Sequence, residues 1–280
     1  MSDPQLQVRN LTRQELDIAV EWAAREGWNP GLADAECFWR QDPQGFFGGF
    51  LAGRMVASVS VVTYEGGFAF AGFFLVAPEL RGRGYGRAVT AAALAHASGH
   101  VVGLDGVVAQ QENYKASGAV HAHRNRRYEG RGGGRRPEGL VELKEEHWPA
   151  LLAYDQACFR FPRPGFLACW LAQPGHLALG ALEGGRLAGY GVIRPCRVGC
   201  KIGPLFADGP AEAQALFQGL AAAAPGQAVF LDAPELNPAA LALAEEHGMA
   251  MCFETARMYL GPRPALPLEK IFGITSFELG

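Results

Sequence analysis

The sequence predicts an α/β fold, an α+β mixed sheet flanked by helices and built twice in tandem. Three observations carry this. Apolar runs of strand length follow one another between residues 46 and 76, helix-period segments flank them, and the same order of elements returns after residue 140. A chain of 280 residues is long enough for two domain cores, and a hydrophobic content of 49% can fill both.

Thr12 and Glu15 stand at capping-box spacing, and Leu16, Ala19, Val20 and Ala23 recur at helical period until Gly27, which predicts a helix over 12–26. Residues 34–41 read as a second short helix stopped by Asp42-Pro43. Segments 46–52, 55–64 and 68–76 read as an antiparallel meander, parted by Ala-Gly-Arg and Glu-Gly-Gly turns. Residues 87–96 are Ala-rich and free of proline, as a buried helix is. Residues 101–108 predict a strand, 112–117 a short helix ended by Gly118, and 120–128 a further strand.

The stretch 130–140 is too rich in glycine and arginine to bury a core, so it is expected to link a domain over 1–129 to one over 141–280. Beyond it the pattern predicts helices at 148–158 and 165–172, then strands at 176–182, 187–194 and 198–206. A helix at 211–223, a strand at 227–232, a helix at 238–247 and a strand at 250–259 complete the repeat. The tail 271–280 is apolar enough to dock on the body.

A net charge of −3 provides no whole-molecule field favouring nucleic acid or an anionic membrane, so a small molecule or a peptide end is the expected substrate. The first residues lack a signal-peptide layout and no apolar run approaches about 18 residues, which points to a cytoplasmic protein. Six cysteines scattered over a long chain are expected to be reduced thiols. Cys196 and Cys200 lack a second Cys/His pair, so no metal site is expected.

Between a strand and a helix stands Arg81-Gly82-Arg83-Gly84-Tyr85-Gly86, followed by Arg87. A glycine-rich turn opening a helix presents free backbone N–H groups and the positive end of the helix dipole, a combination that favours phosphate or pyrophosphate. The glycines let the backbone approach the anion and the arginines add cationic partners. Taken alone, the hexad is also compatible with a loop of solvated arginines. A Rossmann fingerprint needs its third glycine one residue later, and a P-loop needs Gly-Lys-Ser/Thr; neither is present.

The run Val76-Ala77-Pro78-Glu79-Leu80-Arg81-Gly82-Arg83-Gly84-Tyr85-Gly86 closely resembles motif A of the GNAT superfamily of N-acetyltransferases. That resemblance implies that the loop amides hold the pyrophosphate of acetyl-CoA. It also implies that the preceding strand, Phe73, Phe74, Leu75 and Val76, pairs with the pantetheine arm. A second family motif, Tyr followed four residues later by Gly and an aromatic, is met by Tyr114 and Gly118, with Ala119 in the aromatic position. The resemblance makes Tyr114 the general acid that protonates the departing thiolate.

No carboxylate lies on the strand before the hexad. Asp105, within the apolar strand 101–108, is the candidate base, since a carboxylate buried there demands a partner; a structural Asp beside a bulge at Gly106 is the other reading. His121 and His123 share a strand face, with solvent exposure the default. Trp22, Trp28, Phe38, Trp39, Phe46, Phe47 and Phe50 cluster in the segment that, by resemblance, walls the acceptor site; Trp28 and Asn29, in a loop, are the pair given to substrate.

In the second half the counterpart of the hexad is Ala207-Asp208-Gly209-Pro210, with no arginine, and Ala244 stands where the tyrosine would be. This half is similar to the degenerate, YitH-type C-terminal domain of bacterial tandem GNAT proteins and is expected to shape or cover the acceptor pocket. The resemblance thus implies an acetyl-CoA-dependent N-acetyltransferase acting on a primary amine of a small molecule, with one cofactor site per chain. A non-catalytic acyl-CoA sensor or partner-binding protein is the alternative, and oligomeric state is not legible.

Overall fold

The structure, a computed structural model, describes residues 5–280. β1 (Gln7–Asn10) leads into α1 (Arg13–Arg25), whose capping box forms as the spacing predicts. Thr12 Oγ1 accepts the Glu15 N–H at 3.2 Å and Glu15 accepts the Thr12 N–H at 2.8 Å. Leu16, Ala19, Val20 and Ala23 form its buried stripe. After α2 (Asp34–Gln41) come the meander strands β2 (Phe46–Leu51), β3 (Arg54–Tyr64) and β4 (Phe68–Val76), then α3 (Tyr85–His96) and β5 (Val101–Val107). α4 (Gln111–Ala116) and β6 (Val120–Arg131) close the first half.

The second half opens on β7 (Leu140–Glu142), α5 (Trp148–Phe159) and α6 (Pro164–Ala172), followed by β8 (Leu177–Glu183), β9 (Arg186–Pro195) and β10 (Cys200–Ala207). α7 (Pro210–Ala221), β11 (Ala228–Pro234), α8 (Pro238–Glu246), β12 (Ala250–Leu260) and β13 (Ile271–Gly273) complete the chain. Three short strands, β1, β7 and β13, go beyond the sequence pattern; all other elements stand where it places them, within a few residues.

All strands join one mixed sheet in the order β1-β2-β3-β4-β5-β12-β6-β11-β10-β9-β8-β7, with β13 beside β10. Among the described residues only β4–β5 and β10–β11 pair in parallel. The order adds to the expected division into a domain, a linker and a domain that strands of the two halves interleave. β6, from the first half, lies between β12 and β11 of the second, while β12 lies against β5. Each half therefore lends its closing strand to the other.

The expected linker is also shorter than its composition suggests. Gly130 and Arg131 pair with Val229 and Ala228. A methyl group on Gly130 would lie 2.7 Å from Met249 Cγ, and one on Gly132 would lie 2.1 Å from the Ala224 carbonyl oxygen. These glycines serve close packing, not flexibility.

One continuous core joins the halves. Leu16, Phe38, Phe70 and Phe73 of the first pack with Phe159, Phe166, Trp170 and Tyr190 of the second. α3 covers a separate cluster with Val59, Val61 and Ala69, and α7 and α8 cover a third. The tail 271–280 is buried throughout, as its composition predicts. From β13 it crosses back to the first half, where Tyr64 donates to the Leu279 carbonyl at 2.9 Å.

Candidate active site

The site begins with a bend in β4. Its parallel pairing with β5 ends at Ala71–Leu104, and two β4 residues oppose one β3 residue between the pairs Ser60–Gly72 and Ser58–Leu75. Phe73 takes a φ of +47°, and its carbonyl accepts the Ser58 hydroxyl at 2.9 Å. A bulge of this kind bends its strand, and here β4 and β5 part beyond it.

The glycine hexad lies at the next turn. Gly82 and Gly84 take φ values of +79° and +83°, open to glycine without strain. Gly84 is the N-cap of α3 and brings no side chain to its first N–H groups. Gly86 has another reason: a methyl group there would lie 2.9 Å from Phe74 Cζ. Of the expected cofactor residues, Phe74, Leu75, Val76, Arg81, Gly82, Gly84, Tyr85, Gly86 and Arg87 line one groove of about 380 Å³, whereas Arg83 and Phe73 do not. Arg81 is already engaged, donating to the Val76 carbonyl at 3.1 Å and pairing with Glu26 beyond α1.

Trp28, Phe74, Arg87, Val107, Gln110 and Tyr114 join this groove to a cavity of about 550 Å³ in the opening between β4 and β5. Tyr114 packs on Gly106, where a methyl group would lie 2.2 Å from its ring, and burial pushes its phenol up, so it stays protonated at neutral pH. Trp28, Phe73, Phe253 and Phe277 supply aromatic wall. Phe38, Phe46 and Phe50 are core.

Asp105 also lines this cavity, but its carboxylate is not free. Arg257 donates to both its oxygens, at 2.7 and 2.6 Å, and Asn125 adds a bond of 2.8 Å. With the side chain sealed from solvent, its proton-accepting positions are committed, and its geometry is that of a strut between β5 and β12. Asn29 departs from expectation too. Its amide bonds Val198 N–H and C=O at 2.9 and 3.0 Å, and its carbonyl takes the Lys201 ammonium at 2.9 Å, so it ties the Trp28 loop to the second half.

His121 is exposed as expected, whereas His123 is buried because β12 docks beside β6. Burial, with Arg257 nearby, pushes its imidazole down to about 3. Sequence reasoning missed Glu278, a buried carboxylate lining the same cavity. Only the apolar character of its surroundings, which implies a buried charge needing a reason, could have flagged it.

Among the described residues, the corresponding place in the second half is taken by a strand. β10 and β11 pair through Ile202–Leu231 and then part, and β13 fills the gap by pairing with β10. Asp208, in the hexad's position, is bound by Arg186, Lys270 and Tyr154 at 2.8, 3.1 and 3.0 Å.

Known proteins agree with this architecture. The pattern of the acetyltransferase (GNAT) family matches residues 8–125, and that of an acetyltransferase (GNAT) domain matches residues 151–273. The holothin acyltransferase of Pseudoalteromonas sp. (strain SANK 73390) is 35% identical over 270 residues, 95% of this chain and 92% of its own length. Two solved structures share the fold. A candidate acetyltransferase from Pyrococcus horikoshii has a TM-score of 0.84 at 24% identity, covering 98% of this chain and 96% of its own. A tandem GNAT protein from the clavulanic acid biosynthesis pathway has a TM-score of 0.64 at 17% identity, covering 93% and 100%. The chain belongs to the GNAT acyltransferase family and carries two GNAT domains in tandem.

Proposed function

We propose that this acyltransferase moves an acetyl group from acetyl-CoA to a primary amine of a small molecule by direct attack, using one cofactor site in its first half. The observation that carries this reading is the continuity of the two spaces. The groove under the α3 N-terminus suits a pyrophosphate, and the opening it feeds between β4 and β5 leads a thioester to Tyr114 and the aromatic cavity. Tyr114 donates its proton to the thiolate as the C–S bond breaks. The second domain completes the acceptor side, since Phe253, Thr255, Phe277 and Glu278 all come from it.

The aromatic walls of the cavity suit an amine carried on a flat, largely apolar body. The name of the relative makes holothin the first compound to try. The test is release of CoA from acetyl-CoA with holothin and a panel of flat aromatic amines, amino acids, amino sugars and polyamines. Turnover with an apolar amine supports the proposal. Binding of acetyl-CoA by calorimetry with no turnover on any acceptor would turn the reading to that of an acyl-CoA sensor.

A further inference from the structure

Two carboxylates line the large cavity among the described residues, Asp105 and Glu278. Asp105 is locked by Arg257, and the groove's own carboxylate, Glu26, is paired with Arg81. Glu278 differs from both. Its side chain is buried, yet Oε1 has no hydrogen-bond partner. A buried carboxylate oxygen without a donor is costly to keep, and such atoms persist where a ligand completes them.

Its placement fits. The backbone of Glu278 lies directly on Gly72, where a methyl group would stand 2.6 Å from the Glu278 carbonyl oxygen and 3.1 Å from its Cα. Gly72 is the residue before the Phe73 bulge, at which β4 leaves β5. The tail is fixed on either side by the Tyr64 bond to Leu279 and by Ser276 Oγ, which accepts the N–H groups of Glu278 and Leu279 at 3.3 and 3.1 Å. The missing side chain at Gly72 therefore admits the Glu278 backbone beside the β4–β5 opening, and Glu278, carried there by the end of the second domain, lines the cavity.

We infer that Glu278 is the base that accepts the proton of the acceptor amine. This rests on the acyltransferase reading above and adds the residue that reading lacks. The amine nitrogen bonds to the thioester carbonyl carbon, and its surplus proton passes to Glu278 Oε1. The C–S bond breaks and the thiolate takes the Tyr114 proton. Amide and free CoA leave, and exchange with solvent removes the proton from Glu278 and restores that of Tyr114. Burial pushes the Glu278 carboxyl up, toward the range of a working base. Lys201 on β10, Arg127 on β6 and Arg194 on β9 oppose that rise, and Asp34 on α2 reinforces it.

The test is Glu278→Gln, which keeps shape and volume, assayed on the best acceptor from the panel with acetyl-CoA affinity measured in parallel. The expected result is a fall in kcat of about 10²-fold or more, with acetyl-CoA Kd within about twofold. The rate of the parent should rise with pH through one ionisation and level off. That of Glu278→Gln should keep rising as the amine sheds its own proton. Glu278→Asp, which keeps the carboxylate one methylene back, should recover part of the rate and the levelling profile; it also serves if the Gln variant does not fold. A Gln variant with the parent's kcat and pH profile, or a folded Asp variant that recovers neither rate nor the levelling profile, overturns the assignment while leaving the acyltransferase reading intact. A parent that acetylates no amine overturns both.

Discussion

Arg257 occupies both carboxylate oxygens of Asp105, at 2.7 and 2.6 Å, across the seam where the last long strand of the second half meets the β5 strand of the first. The pair is buried, so removing one partner leaves an uncompensated charge. Arg257→Ala is expected to lower unfolding stability by about 3–5 kcal/mol, read as a shift of the urea midpoint at unchanged slope. Asp105→Asn should destabilise as well, and the surviving folded fraction should keep its rate per active site. A large loss of rate in a fully stable Asp105→Asn protein would return Asp105 to the role of base.

Glu26 lines the groove proposed for a pyrophosphate and is paired there with Arg81, so it competes with that anion for the guanidinium. Glu26→Gln should tighten acetyl-CoA binding, by about three- to tenfold at low ionic strength. The gain should shrink as salt is added, because the groove is open to solvent. Calorimetry at two salt concentrations checks both the sign and the trend.

Tyr114→Phe keeps the ring that packs on Gly106 and removes only the proton donor. Turnover should fall by about 10²-fold, with acetyl-CoA affinity and stability near those of the parent. Single-turnover rates with a poorer and a better thiol leaving group provide the sharper reading. The deficit should be larger for the poorer one.

His123 makes stability depend on pH. Its folded imidazole is pushed down to about 3, while an unfolded histidine titrates near about 6.5. Between those values the unfolded chain binds a proton that the folded chain refuses. Stability should therefore fall as pH drops from about 6.5 toward 3, by up to about 1.4 kcal/mol per pH unit from this residue. Urea midpoints across that window, compared between the parent and His123→Gln, should differ in slope by about one proton.

Much of the first half could be read in advance because its signals are local. Thr12 with Glu15 marks a helix start, the Glu-Gly-Gly turn separates two strands, and the hexad sits where a strand gives way to a helix. What escaped depends on which strand sits beside which. Nothing in the alternation of 120–131 or 250–260 says that each would pair with the other half. The glycines at 130 and 132 read as flexible because composition does not reveal Met249 and the Ala224 carbonyl pressed against them. The short strands β1, β7 and β13 hold three or four residues each, too few for any period to show. Glu278 was hidden for the opposite reason, a single carboxylate in a tail that otherwise spells apolar docking.

The exchange of closing strands also sets the order in which the molecule can be made. As the chain leaves the ribosome, β5 emerges early and must wait for residues 250–260 before its open edge is covered, and β6 must wait for both of its neighbours. Until then the nascent first half carries an unsealed row of backbone donors and acceptors beside an apolar cavity, a surface prone to pairing with other chains. Co-expressed halves would have to find each other and interleave, so splitting the gene between them should give two sticky fragments in place of two enzymes.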